Sequence, residues 1–161
     1  MQFSNICLTT DFSTNCTAVI PFAVDLAKKF NGIIWYVHVF DGMYLIEAAA
    51  EAGEGHFPNP SHWIDPLYNK LGTKLREEAI ALSAAHGVHF NPVMLRGNAV
   101  VEIVKLIKKE NMDCLMLTTH GRTGVAHFLF GSTAERLVRF SPCPVLTVRP
   151  HPHEHESKPS A

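Results

Sequence analysis

The chain has 161 residues, 47% of them hydrophobic and 18% charged, with a formal net charge of −1. That length suits one domain with a sizeable core. The near-zero charge excludes the global basic footprint of a nucleic-acid or anionic-membrane binder, and no apolar run approaches the ~18 residues that span a bilayer. The start, Met1-Gln2-Phe3-Ser4-Asn5, lacks the basic region of a signal peptide, so the expected location is cytoplasmic. Cys7, Cys16, Cys114 and Cys143 form no C-x-x-C pair, which fits a reducing compartment.

Ile6-Cys7-Leu8 reads as a first strand ending at Thr9-Thr10-Asp11. Asp11 or Ser13 is placed to cap the next helix, whose apolar face is Val19, Phe22, Ala23, Leu26 and Phe30. Asn31-Gly32 stops it, and Ile33 to Phe40 is a continuous β-rich run of the kind buried on both faces in parallel sheets. Residues 41–64 form a long connection with a short helix expected around Leu45 to Ala52. Asp65-Pro66 starts a second helix, with Leu67, Leu71, Leu75, Ala79 and Leu82 on one face and a stop at His86-Gly87. Val88 to Leu95 is a third strand. Asn98 caps a third helix carrying Val100, Val101, Val104 and Ile107. Cys114 to Leu117 is a fourth strand. Ser132 and Glu135 have capping-box spacing for a fourth helix with Ala134, Leu137 and Val138 inward, and Pro144 to Val148 is a fifth strand. The tail, 150–161, has no hydrophobic period and is expected to be disordered.

Strands alternating with helices predict a single doubly wound α/β domain over residues 1–149, with a mainly parallel five-stranded sheet. Ligands of such sheets bind at the carboxyl ends of the strands, where strand order reverses. Two segments lie there. One is Thr10-Asp11. The other is Thr118-Thr119-His120-Gly121-Arg122-Thr123-Gly124, followed by Gly131-Ser132-Thr133 at a helix start. A glycine turn leading to a helix N-terminus suits a bound anion. Arg122 is placed to neutralise a phosphate or to be a solvated loop arginine, and His38 reads as a core or sheet-end histidine. His151, His153 and His155 alternate in the tail with a spacing that suits weak chelation of a divalent transition metal, but disorder without metal is the favoured reading and no metal site is expected.

Thr9-Thr10-Asp11-Phe12-Ser13, His38-Val39, the segment from Thr118 to Glu135, and Ser141-Pro142-Cys143-Pro144-Val145 together resemble the universal stress protein family over roughly residues 3 to 149. The resemblance implies a Rossmann-like fold with strand order 3-2-1-4-5. Its ATP-binding branch carries a G-x2-G-x9-G-(S/T) pattern, which Gly121, the nine residues after it, Gly131 and Ser132 fit, while Thr118 stands where the first glycine is expected. By that resemblance Asp11 meets the ribose, Val39 the adenine through its backbone, and Gly121, Gly131, Ser132 and Thr133 the phosphates, with Thr10, Thr118, His120 and Arg122 beside them. The implied ligand is ATP, with Mg2+ as companion ion, and ADP or AMP as alternatives. The implied partner is a second copy of the chain, through Pro144 to Val148. No catalytic residue and no membrane or nucleic-acid partner is expected.

The leading expectation is therefore a nucleotide-binding stress-response or signalling module. One alternative is a slow ATPase or phosphoryl-transfer enzyme, for which only His120 is placed to orient water. Another is a dimeric interaction module without nucleotide, which Thr118 favours.

Overall fold

The computed structural model describes residues 2–43, 46, 61–119 and 131–149. Five strands, β1 (Asn5–Thr9), β2 (Ile33–Phe40), β3 (Phe90–Arg96), β4 (Cys114–Thr118) and β5 (Val145–Val148), form one sheet in the order β3-β2-β1-β4-β5. Every pairing is parallel. This is the expected order 3-2-1-4-5. The helices are α1 (Ile20–Phe30), α2 (Ser61–His86), α3 (Ala99–Lys109) and α4 (Ser132–Phe140).

The period-2 alternation of the central strands divides the core into two layers. Ile6, Leu8, Ile34, Tyr36 and Met116 face one way, onto Val19, Ala23 and Ala27 before and within α1 and onto Leu75 and Ala79 of α2. Cys7, Val37, Leu115 and Leu117 face the other way, onto Ile103 and Ile107 of α3 and Ala134 and Leu137 of α4. Central β4 is buried throughout, as a strand covered on both faces must be. Asp113 fixes the start of the central pair: its Oδ2 accepts from the N–H groups of Ser4 and Asn5, both at 2.8 Å.

Several local expectations hold. Asn31 closes α1 in the left-handed conformation, φ 52°. At Gly32 an added Cβ would collide with the Phe3 carbonyl oxygen, so glycine there answers a close backbone approach. Asn98 caps α3 by accepting from Val101 N–H at 3.3 Å. Leu75 and Ala79 of α2 are buried.

Others are corrected. Between β1 and α1 the chain first winds as a 3-10 helix, Thr14–Val19, and Ser13 at its N-cap makes no side-chain cap bond. A 3-10 helix has about 3.0 residues per turn, so the phase carried into α1 is not that of one continuous α-helix. The buried face is Ala23, Val24 and Ala27, and Phe22 is 53% exposed. Helix α2 starts at Ser61, not Asp65, with Pro66 inside it. Proline that close to a helix start removes few intrahelical bonds, and buried Ile64 anchors the extra turn. The expected loop 41–64 is shortened accordingly. Strand β3 runs from Phe90 to Arg96 rather than from Val88 to Leu95. Val101 and Val138 are exposed, not core. The expected short helix around Leu45 to Ala52 and the tail 150–161 lie outside the described residues, apart from Ile46.

Candidate functional site

Strand order reverses between β1 and β4, whose pairing runs Ile6↔Cys114, Cys7↔Leu115 and Leu8↔Met116. Two residues further on, the same register sets Thr10 level with Thr118. Both strands end there, and the helices that follow them, α1 and α4, pack into opposite layers. The crevice of a doubly wound sheet opens at such a point.

The β1 side is a dense side-chain network. Thr10 is buried and its Oγ1 accepts from Phe12 N–H at 3.0 Å. Its backbone N–H donates to Val37 O at 2.9 Å, and its carbonyl lies 2.7 Å from His38 Nδ1. A carbonyl only accepts, so Nδ1 carries the proton of that bond. His38 is thus the buried sheet-end histidine expected. Asp11 Oδ1 accepts from Ser13 N–H at 2.9 Å, a local turn of the kind aspartate favours. The same oxygen accepts from the Cys16 thiol at 2.9 Å. Asp11 therefore organises the turn instead of capping a helix. Burial, and next the hydrogen bond to Asp11, push the Cys16 thiol above its ordinary range, so it stays neutral and able to donate.

Phe12 sits between these residues at φ 64°, a conformation rare for a bulky side chain. Its ring lies 4.4 Å from that of His38, and Lys74 Nζ of α2 stands 4.6 Å from its centroid. Such a backbone persists only where its surroundings over-determine it. Here the Thr10 hydroxyl, the His38 ring and the Lys74 ammonium do so.

The β4 side is mostly backbone. Thr118 and Thr119 are buried at the strand end. Thr119 N–H donates to Val148 O at 3.1 Å, and Thr119 O accepts from Gly131 N–H at 2.8 Å. The chain thus leaves β4 at Thr119 and returns to the same point at Gly131. Gly131 is the N-cap of α4, at φ −70° and ψ 150°, and among the described residues no side chain caps the helix. Ser132 is the first helical residue, so the capping box expected from Ser132 and Glu135 is not formed. The reason is one of register: Glu135 N–H already donates to Gly131 O at 3.0 Å, which makes Gly131 the cap. Ser132 and Thr133 are both exposed on the first turn. The two sides meet at the thiol, since Cys16 Sγ lies 3.8 Å from Thr118 Oγ1.

Among the residues expected at a nucleotide site, the structure gathers Thr10, Asp11, Thr118, Gly131, Ser132 and Thr133 around the ends of β1 and β4. Val39 lies two residues past the last β1–β2 pair, Thr9↔Val37. His120, Gly121, Arg122 and Gly124 lie outside the described residues. The sequence reading missed Phe12 and Cys16. Their signals are weak in one dimension, since a phenylalanine in a turn and a cysteine outside any spaced pair carry no pattern.

The site tests an anion at α4. The backbone at Gly131 is one that any residue adopts, and among the described residues an added Cβ would meet only Thr119 O, at an ordinary 3.4 Å. The described fold therefore gives no steric reason for glycine, and aspartate, asparagine or serine would cap better. Close approach of a ligand to bare backbone is a reason that remains. First-turn N–H groups without intrahelical acceptors suit phosphate. The arrangement fits a ligand with a hydroxyl-bearing end at Asp11 and an anionic end at α4.

Known proteins share this fold. The chain is 28% identical over 149 residues to a universal stress protein of Methanocaldococcus jannaschii, covering 91% of this chain and 82% of that one. Among solved structures, a universal stress protein from Lactobacillus plantarum superposes with a TM-score of 0.74 at 18% identity, covering 92% and 99% of the two chains. A universal stress protein family protein from Arabidopsis thaliana, solved with AMP bound, gives 0.63 at 18% identity, covering 97% of each. A universal stress protein solved in complex with cAMP gives 0.61 at 20% identity, covering 94% and 100%. Residues 2–149 match the universal stress protein family itself. The chain belongs to the universal stress protein family.

Proposed function

We propose that this protein binds an adenine nucleotide, ATP foremost, in the crevice between the ends of β1 and β4, and acts as a dimeric stress-response or signalling module of the cytoplasm. The observation that carries the reading is the pairing of a tethered carboxylate, Asp11, with a bare helix start at Gly131. Asp11 would meet the ribose, Val39 the adenine, and Gly131, Ser132 and Thr133 the phosphates, with His120, Gly121 and Arg122 as further candidate contacts by sequence and Mg2+ as the companion ion of the nucleotide. Relatives solved with AMP and cAMP support an adenine ligand. The role is binding: a ligand that prefers one conformation shifts the population toward it.

The dimer forms through the outer strand β5, at Pro144 to Val148. Leu146 on that strand is 38% exposed, and Phe140 at the end of α4 is also exposed. An apolar edge strand is a surface that soluble proteins cover.

Calorimetric titration with ATP, ADP, AMP and cAMP tests the reading, with melting temperature and sedimentation recorded alongside. A ligand at one hundred times its Kd adds about 2.7 kcal/mol to stability, which is several degrees for a domain of this size. The expected species is a dimer that Leu146→Lys converts to monomer. No heat and no melting shift at millimolar nucleotide overturns the binding reading.

One observation favours a second reading, a dimeric module without nucleotide. Thr118 stands where the ATP-binding pattern has glycine, and its side chain is buried against Cys16. Under that reading the natural chain binds nothing and Thr118→Gly creates ATP binding.

A further inference from the structure

We propose that Cys16 is the positioning residue of this site: its thiol holds the Asp11 carboxylate in the orientation that receives the ribose and joins the ends of β1 and β4 at one spacing. The inference rests on the nucleotide-binding reading above. Asp11 Oδ1 takes two donors, Ser13 N–H and Cys16 S–H, each at 2.9 Å. Two donors on one oxygen fix the rotation of the carboxylate about its own bond, which leaves the second oxygen in one orientation. The Asp11 N–H lies 3.5 Å from the same sulfur and the Ser13 hydroxyl 3.7 Å from it, so the thiol is the hub of the turn. It also reaches across the sheet's switch point to Thr118 Oγ1 at 3.8 Å. The one side chain thus touches both the Asp11 carboxylate and the end of β4.

The chemistry of the thiol suits this task. It is buried and beside a carboxylate, so it keeps its proton and serves as a neutral donor. A serine hydroxyl has the same donor valence on a shorter bond, whereas alanine has none. A preorganised carboxylate loses less on binding than one that must be ordered by the ligand.

The test is a titration of wild type, Cys16→Ala and Cys16→Ser with ATP and with 3′-deoxy-ATP, which lacks one ribose hydroxyl. The expected result is a roughly tenfold loss of ATP affinity in Cys16→Ala, in the range set by one hydrogen bond to a charged group. Cys16→Ser restores most of that loss. Binding of 3′-deoxy-ATP, already weak, changes little in either variant. Equal losses on both nucleotides overturn the positioning role, because a purely structural defect does not tell them apart. Unchanged ATP affinity in Cys16→Ala overturns it as well. If Cys16→Ala does not fold, Cys16→Ser still decides: a small loss confined to ATP supports the role, and an equal loss on both nucleotides removes it. Wild type that binds neither nucleotide overturns both this inference and the reading beneath it, whereas binding by wild type with an unselective variant overturns this inference alone.

Discussion

At the end of β1 the crevice wall is side chain: Asp11, Ser13 and Cys16 bond one another, the Thr10 hydroxyl accepts from Phe12 N–H, and Phe12 is held at positive φ between His38 and Lys74. At the start of α4 the wall is backbone: a glycine cap, no capping side chain, and two exposed hydroxyl residues on the first turn. The contrast matches what each half of a nucleotide asks of a protein. A ribose is recognised by directional hydrogen bonds, which need an oriented acceptor. A phosphate chain is recognised by charge and by several converging N–H groups, which need access more than orientation. One wall therefore stores its order in a local network of side chains, and the described part of the other offers backbone.

The largest effect is expected at Asp11, the proposed ribose contact. Asp11→Ala removes the acceptor and releases both of its donors, and it is expected to lower ATP affinity by about 10- to 100-fold, the equivalent of about 1.5–3 kcal/mol. Asp11→Asn keeps an acceptor oxygen for Ser13 and Cys16 and is expected to lose less. Calorimetry on the two variants checks the order, and equal losses remove the charge from the argument.

The bare wall is broken by bulk. Gly131→Val fits the extended backbone and among the described residues meets only Thr119 O, so chemical denaturation is expected to show a stability loss of at most about 1 kcal/mol, that of a lost cap. Affinity for ATP is expected to fall by roughly tenfold, and adenosine binding much less. A large loss of stability would assign the glycine to the fold instead.

Alkali sharpens the comparison, since only the β1 wall contains a titrating thiol. The Cys16 pKa is raised in the folded protein above its ordinary value of 9.0. The unfolded chain then releases that proton first as pH rises, so the stability contribution is complete below pH 9.0 and is lost as pH climbs from there through the folded value. Urea unfolding of wild type is expected to weaken more steeply above pH 9 than that of Cys16→Ala. Parallel curves would show that the thiol is not buried beside Asp11.

The smallest effect is at Ser132. As the first helical residue it caps nothing, so Ser132→Ala is expected to change stability by less than about 0.5 kcal/mol. A capping serine would cost about 1 kcal/mol, and a loss of that size would restore the capping box.

Much of the architecture was legible from pattern because burial imposes it residue by residue. β4 reads as a continuous apolar run and is buried throughout. Asn98 and Asn31 act where helix-end chemistry puts them. Errors fell where one element sets the phase of the next. The 3-10 turn rotated the face of α1 and left Phe22 in water, and a turn of helix before Pro66 rested on the burial of Ile64. At the site, Asp11, Thr118 and Gly131 were visible through spacing and resemblance. Cys16 and Phe12 were not, because their roles come from neighbours rather than from spacing.

By itself, then, the sequence determined the alternation of strand and helix, the family, and which residues lie past the ends of β1 and β4. Those follow from local hydrophobic period, from turn chemistry and from motif order, all of which act over short stretches of chain. Only the tertiary structure decided that Asp11 ties a turn instead of capping a helix, that Gly131 rather than Ser132 caps α4, and that the Cys16 thiol bound to Asp11 reaches Thr118 across 102 positions of chain. Those outcomes depend on donors and acceptors that parallel pairing of β1 with β4 brings within a few ångströms, and separation along the chain carries no record of that distance.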